Sequence, residues 1–433
     1  MREAQQPAGT SGGATLSTSL LIILCLYLLK EAFEYALQYL NLRHVQQKGA
    51  VVPPEFAGAL DADLLRRTQD YTADKTRFGF VSSLFGMIVT IALVFGGLLD
   101  RYNSWIVSLD LSFIASGWLF FLLLSYAGEL LSIPFSLYST FRIENKYGFN
   151  TTTPRLWLSD FVKSLLLSTI MLSLVLFAGF WLIQWSPQFW WFWVWAFLFF
   201  FSIFIMYLSP YIIEPLFNKF TPVEDESLRE QIRQLAGKAG IHASRILKID
   251  ASKRSRHTNA YFTGIGRTKR IVLYDTLLSG MSHDEVLSVL AHEIGHWKRR
   301  HLLKMIVALE FFSFLGLYLA CRLVQGDLLT GLFSISHETL PVKLLLLAFL
   351  AGIVLLPLKP AAAFVSRKHE READRASYEL TGDARSMIDV LVNLSKENLS
   401  NLYPHPLYAA IYYSHPPVLE RIRYLEEMQK NGA

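Results

Sequence analysis

The sequence predicts a mainly α-helical, multi-span membrane protein that carries a small cytoplasmic α+β domain closed by an H-E-x-x-H motif. Three observations point there: a series of long apolar runs, an alternation of basic and charge-poor loops, and one H-E-x-x-H stretch. The chain has 433 residues, 52% of them hydrophobic and 18% charged, with 31 Phe, 19 Tyr and 10 Trp. Its mean hydropathy of +0.31 is too high for an ordinary water-soluble domain of this size. Aromatic residues in such numbers are expected near bilayer interfaces. The net charge of +5 could suggest nucleic acid, but no nucleic-acid motif is present, and basic loops of a membrane protein account for it. Cys25 and Cys321 both lie in apolar runs and form no disulfide framework or metal cluster.

Residues 1–16 are polar and rich in small side chains, which predicts a disordered N-terminus. About seven segments then have the length and apolarity to span a bilayer, near 17–38, 78–99, 112–138, 161–185, 188–213, 302–324 and 342–365. Ser186-Pro187 joins the fourth and fifth as a hairpin. Pro134, Pro357 and Pro360 remove backbone donors and are expected to bend their spans. The loop over 39–77 carries Arg43, Lys48, Arg66, Arg67, Lys75 and Arg77, whereas 100–111 has only Arg101. The third loop has Arg142, Lys146 and Arg155, the fourth none, the fifth many and the sixth none, and the tail from Arg367 is basic again. Under the positive-inside rule this places the N-terminus outside and the odd loops and the tail in the cytoplasm. The chain thus divides into spans one to five (17–213), a loop domain (214–301), spans six and seven (302–365) and a C-terminal helical segment (366–433).

The loop domain opens with a helical pattern over 224–238 that Gly240 ends, followed by a strand over 245–250. A hairpin is expected from 258–263 and 270–274 with a turn through Gly264-Ile265-Gly266. The domain closes with His292-Glu293-Ile294-Gly295-His296 on a helix. Ser282 and Glu285 form a capping box at its start, and Val286, Leu287, Val289, Leu290 and Ile294 give it an apolar stripe. Residues four apart share a helix face, so His292 and His296 can present two imidazoles to one metal ion. Glu293 stands beside them as a base for a water that the metal activates.

A catalytic zinc site needs a third protein ligand. The H-E-x-x-H-x-x-G-x-x-H pattern is excluded, because Arg299 and Leu302 occupy its Gly and His positions; His301 falls one residue off and is expected at the basic membrane edge. The other source is a later helix. In 366–374, Glu370 and Asp374 share a face, so Glu370 can ligate while Asp374 orients a ligand histidine. Glu372 points elsewhere. The alternative reading of this segment is a solvated charged helix. Arg421 reads as an exposed helix charge. Glu129 and Glu310 fall at membrane depth, where they face either water or a neighbouring helix, and Lys359 is expected to snorkel or to pair with an acid.

These pieces, together with 141–150, 215–220, 252–255, 259–264 and Ser414-His415-Pro416-Pro417, resemble the type I CAAX prenyl proteases, which are integral-membrane zinc metalloendopeptidases. The resemblance implies seven helices arranged around a water-filled chamber, with one zinc ion facing its interior. It implies His292, His296 and Glu370 as ligands, Glu293 as general base and Asp374 as orienter. Asn259 and Ala260 would form the edge strand that pairs with substrate backbone, and His415 would donate to the oxyanion. Asn259 as a turn cap and His415 as a structural loop histidine are the alternatives. The implied partners are membrane lipids and a peptide or protein substrate, which can carry a C-terminal isoprenyl cysteine. The fifth loop has no long insertion and 429–433 has no retention signal, so a bacterial inner (plasma) membrane is expected, with the zinc site towards the cytoplasm. Two other functions fit parts of the pattern: a membrane-protein quality-control protease without prenyl preference, and a transporter or lipid-binding protein with structural zinc.

Overall fold

The computed structural model describes residues 17–49, 51–263 and 268–432. The expected disordered N-terminus and the expected Gly264-Ile265-Gly266 turn lie outside them. The membrane half begins with α1 (Thr18–Lys48), α2 (Ala62–Thr90), α3 (Leu98–Ser108), α4 (Phe113–Tyr138), α5 (Pro154–Trp185) and α6 (Trp190–Leu208). Ser17, Asp61, Ser112 and Thr153 cap α1, α2, α4 and α5 through side-chain oxygens that accept from backbone N–H groups.

The short helix α7 (Ile213–Phe217) leads into the loop domain, which consists of β1 (Phe220–Pro222), α8 (Glu226–Lys238), β2 (His242–Ile249), β3 (Ala260–Thr263), β4 (Thr268–Tyr274), α9 (Asp275–Gly280) and α10 (His283–Lys298). The chain returns to the membrane with α11 (His301–Val324), α12 (Leu328–Leu332) and α13 (Leu340–Val354). It ends with α14 (Lys359–Thr381), α15 (Arg385–Glu397), α16 (Pro406–Tyr412) and α17 (Val418–Gly432).

Among the described residues, five helical stretches have the length and apolarity to cross a membrane: Ala62–Phe95, Phe113–Glu144, Pro154–Trp185, Trp190–Leu208 and His301–Val324. A sixth is the pair Leu340–Val354 and Leu356–Thr381, bent by 47°. Pro357 and Pro360 sit at that bend, where each removes a helix donor; Pro134 lies inside α4. The seventh expected segment is α1, a continuous helix whose apolar run is interrupted by Lys30, Glu31 and Glu34. Lys359 does pair with an acid, lying 2.7 Å from Glu34, which also binds Lys30 at 2.9 Å.

Neighbouring spans touch in a closed ring, from α4 to α5, α6, α11, α13 and back to α4. The most apolar stretches of the five unbroken spans have only 0–17% of residues buried, so these helices form a thin wall rather than a solid bundle. The loop domain is the opposite. Leu228, Ile232, Ile271, Leu273, Val286, Leu290 and Ile294 form one closed core between α8, the sheet and α10.

The sheet order is β1-β2-β4-β3, with β2 and β4 parallel and the other pairs antiparallel. This leaves β3 on an edge. The seam between the halves is polar. Arg254 grips Asp160 of α5 through two contacts of 2.8 and 3.0 Å and donates to Asn218, and Tyr261 donates to Glu214 at 2.7 Å.

Candidate metal centre and peptide cleft

The capping box at the start of α10 is present: Ser282 Oγ accepts from Glu285 N–H, and the Glu285 carboxylate accepts from Ser282 N–H. From this fixed start the helix turns His292 and His296 to one side. The facing helix is α14, and it approaches closely because Gly295 has no side chain. A Cβ there would lie 2.9 Å from Ala376 Cβ and 3.0 Å from Ala373 Cα. That close crossing brings Glu370 between the two histidines.

Glu370 lies 3.4 Å from His292 Nε2 and 3.3 Å from His296 Nε2, and the two Nε2 atoms are 3.2 Å apart. One ligand atom from each of the three residues falls within 4.8 Å of the others. Glu370 is 5% exposed, and its Oε2 has no hydrogen-bond partner although it is buried. An orphaned carboxylate oxygen beside two imidazoles is the donor set that a catalytic zinc site needs, and the residues present fit such an ion. Burial works against protonation of His292, yet Asp374 and Glu370 raise its pKa to about 9, so the cluster attracts positive charge. Burial also raises the Glu293 carboxyl, with His292 and His296 pulling the other way.

The structure brings Asp374 and His415 to the cluster and sets Asn259 and Ala260 at the start of the edge strand. Asp374 is fully buried and lies 2.9 Å from His292 Nδ1. His415 is exposed, with Nε2 3.4 Å from Glu370 and Nδ1 2.9 Å from Ser414 Oγ. Asn259 Oδ1 accepts from Ala260 N–H at 2.8 Å, and Ala260 opens the edge strand. Tyr274 N–H donates to Asn259 C=O, so by alternation the backbone groups of Ala260 and Phe262 face the open edge. Tyr261, Phe262, Glu293 and His296 line a cavity of about 500 Å³ together with residues of α6 and α7.

Three residues join the site that their sequence context did not assign to it. Arg421 is no exposed charge: its Nε and Nη2 donate to Asp374 at 2.9 and 2.6 Å, and its side chain is 11% exposed. Desolvating Arg421 is tolerable only because it meets this carboxylate in two contacts. His301, the first residue of α11, is only 2% exposed, with Nδ1 3.0 Å from His296 Nδ1. Glu372 does point away from the metal cluster, and its Oε2 lies 3.0 Å from His301 Nε2. No local periodicity signals any of the three, because Arg300 breaks the helix and α17 is distant in sequence. At membrane depth, Glu129 is exposed beside a small pocket shared with Tyr126 and Thr169, and Glu310 is half-buried and accepts from Ser313.

Two family models cover nearly the whole chain. That of the CAAX prenyl protease N-terminal region, with five membrane helices, matches residues 41–219, and that of peptidase family M48 matches 222–429. The chain belongs to the CAAX prenyl protease branch of peptidase family M48. An Arabidopsis thaliana CAAX prenyl protease 1 homolog is 35% identical over 415 residues, covering 90% of this chain and 94% of the relative. CAAX prenyl protease 1 of Saccharomyces cerevisiae is 33% identical over 424 residues, covering 91% and 93%. The crystal structure of S. mikatae Ste24p matches with a TM-score of 0.88 at 31% identity, covering 94% of this chain and 99% of that one. As a member of this family, the protein is an integral-membrane metalloendopeptidase. The metal cluster lies in the M48 match, and the edge strand belongs to it too.

Proposed function

We propose that the protein hydrolyses peptide bonds near the C-terminus of peptides, including isoprenylated ones, with one zinc ion held by His292, His296 and Glu370. The observation that carries this reading is the meeting of the three ligand atoms beside Glu293, in a cavity that also exposes the edge of β3. A zinc ion there would polarise the scissile carbonyl and acidify a water molecule.

The rest is the work of the chain. The substrate backbone adds to β3 at Ala260 and Phe262, with Asn259 fixing the start of the strand. Glu293 takes a proton from the attacking water and returns it to the leaving amine. Asp374 holds His292 in the tautomer that leaves Nε2 free for the metal. His415 donates to the oxygen of the tetrahedral species. The thin ring of spans encloses a water-filled chamber that admits an extended or lipid-modified peptide tail and excludes folded domains. The basic content of the odd loops and the tail supports a zinc site on the cytoplasmic side.

The test is cleavage by the purified, detergent-solubilised chain of a farnesylated CAAX peptide and its unprenylated counterpart. Preferential cleavage of the farnesylated peptide is expected. Equal cleavage of both would leave the peptidase and remove the lipid preference, as a quality-control protease requires. Cleavage of neither by zinc-loaded protein would contradict the CAAX substrate.

A further inference from the structure

The turn between α10 and α11 has an unusual conformation. Arg300 adopts φ +55° and ψ +36°, the left-handed region that non-glycine residues avoid. This turn starts α11 immediately at His301 and directs that side chain back under the metal cluster rather than outward. There His301 is 2% exposed, and its ring stacks on His369 with centroids 4.0 Å apart and planes 11° apart.

His301 therefore has one orientation available, and both its nitrogens have partners. Nδ1 lies 3.0 Å from His296 Nδ1, and Nε2 lies 3.0 Å from Glu372 Oε2. The proton positions follow from the chemistry of the partners. A carboxylate only accepts, so His301 Nε2 carries the hydrogen. His301 Nδ1 is then a free acceptor in the neutral ring, and His296 Nδ1 must donate to it. That fixes His296 in the tautomer with Nε2 unprotonated, and Nε2 is the atom that faces Glu370 and His292.

We propose that His301 and Glu372 are positioning residues for His296, a two-member relay that orients its ring and sets its tautomer for metal binding. The inference rests on the zinc reading above and extends it. His292 Nδ1 is oriented by a carboxylate directly, whereas His296 Nδ1 meets a second imidazole, which leads on to Glu372. Partners behind a metal-ligating histidine typically govern affinity by 10–100-fold.

The experiment measures zinc affinity of the full detergent-solubilised chain by competition with a chromogenic chelator, and melting of the metal-free protein, for wild type and four variants. His301→Phe retains a flat ring for the His369 stack and removes both hydrogen bonds. It should weaken zinc binding about 10–100-fold and leave the melting temperature of the metal-free protein nearly unchanged. His301→Asn keeps an acceptor within reach of His296 and should recover part of the affinity. Glu372→Gln, at a more exposed position that tolerates change, should give a smaller loss in the same direction and serves if His301→Phe does not fold. Zinc affinity equal to wild type in both His301→Phe and Glu372→Gln would overturn the relay. His296→Ala separates the two readings: loss of zinc there with no change in the relay variants sinks the relay alone, and no zinc binding by wild type sinks both.

Discussion

His292 and His296 sit one turn apart on α10, yet they are held in opposite ways. His292 is buried against Asp374, which is itself fully buried and gripped by Arg421. His296 is more open, with a quarter of its side chain exposed, and its partner His301 leads outward to a half-exposed Glu372. The first arrangement sets charges in a dry interior, where an unpaired partner is costly. The second uses a neutral ring near water, where a lost contact is cheaper. The more buried ligand therefore lies on the side that also ties α17 to α14, and the more open ligand lies on the side that faces the cavity. One metal cluster can thus be part of the fold's core on one flank and of the working cleft on the other.

The sharpest way to break this comparison is at Asp374. Asp374→Ala leaves the Arg421 guanidinium buried and unpaired, which is expected to cost about 3–5 kcal/mol, seen as a large loss of folded protein or a sharp drop in melting temperature. A double change to apolar residues, Asp374→Leu with Arg421→Met, should recover much of that stability without restoring activity. Loss of stability no greater than that of His301→Phe would show that the two flanks do not differ.

Gly295 comes next. Gly295→Val would drive a side chain into Ala373 and Ala376, and overpacking of this kind costs about 1–3 kcal/mol. Because the same crossing positions Glu370, zinc affinity measured by chelator competition should fall along with stability. Gly295→Ala should do the same to a smaller degree.

A smaller effect is expected at the seam. His257 lies 3.6 Å from Glu144 and 2.6 Å from Asn398, and the Glu144 contact raises its pKa against the opposing effect of burial. A histidine with a raised folded-state pKa adds stability that is complete below its unfolded pKa, about 6.5, and is lost as pH rises through the folded value. His257→Gln should therefore lower the melting temperature at pH 6 and change it much less at pH 9. An equal drop at both would remove the ion pair from the account.

What the sequence made legible follows the same division. The long spans, the capping box at Ser282 and the pairing of His292 with His296 are local patterns, and a helix realises them without help from the rest of the chain. Glu370 and Asp374 could be read because they share a face of one helix. The β3–β4 hairpin was visible as two strands, but the parallel pairing of β2 with β4, which leaves β3 open, was not. Arg421 looked like a surface charge because nothing on α17 itself shows that α14 will bury it. The burial of His301 beneath the metal cluster has no local signal, because the left-handed turn at Arg300 sets its direction. The count of spans stayed open at α1 for a compositional reason, since Lys30, Glu31 and Glu34 break its apolar run and one of them pairs with Lys359.

Glu293 handles the proton in the proposed reaction, beside a zinc ion that other residues would hold. The most direct measurement is peptide turnover and zinc content of the same purified samples of wild type and Glu293→Gln. The account predicts about one zinc per chain in both and loss of turnover by at least about 100-fold in the variant. Turnover retained in Glu293→Gln at full zinc content would contradict it.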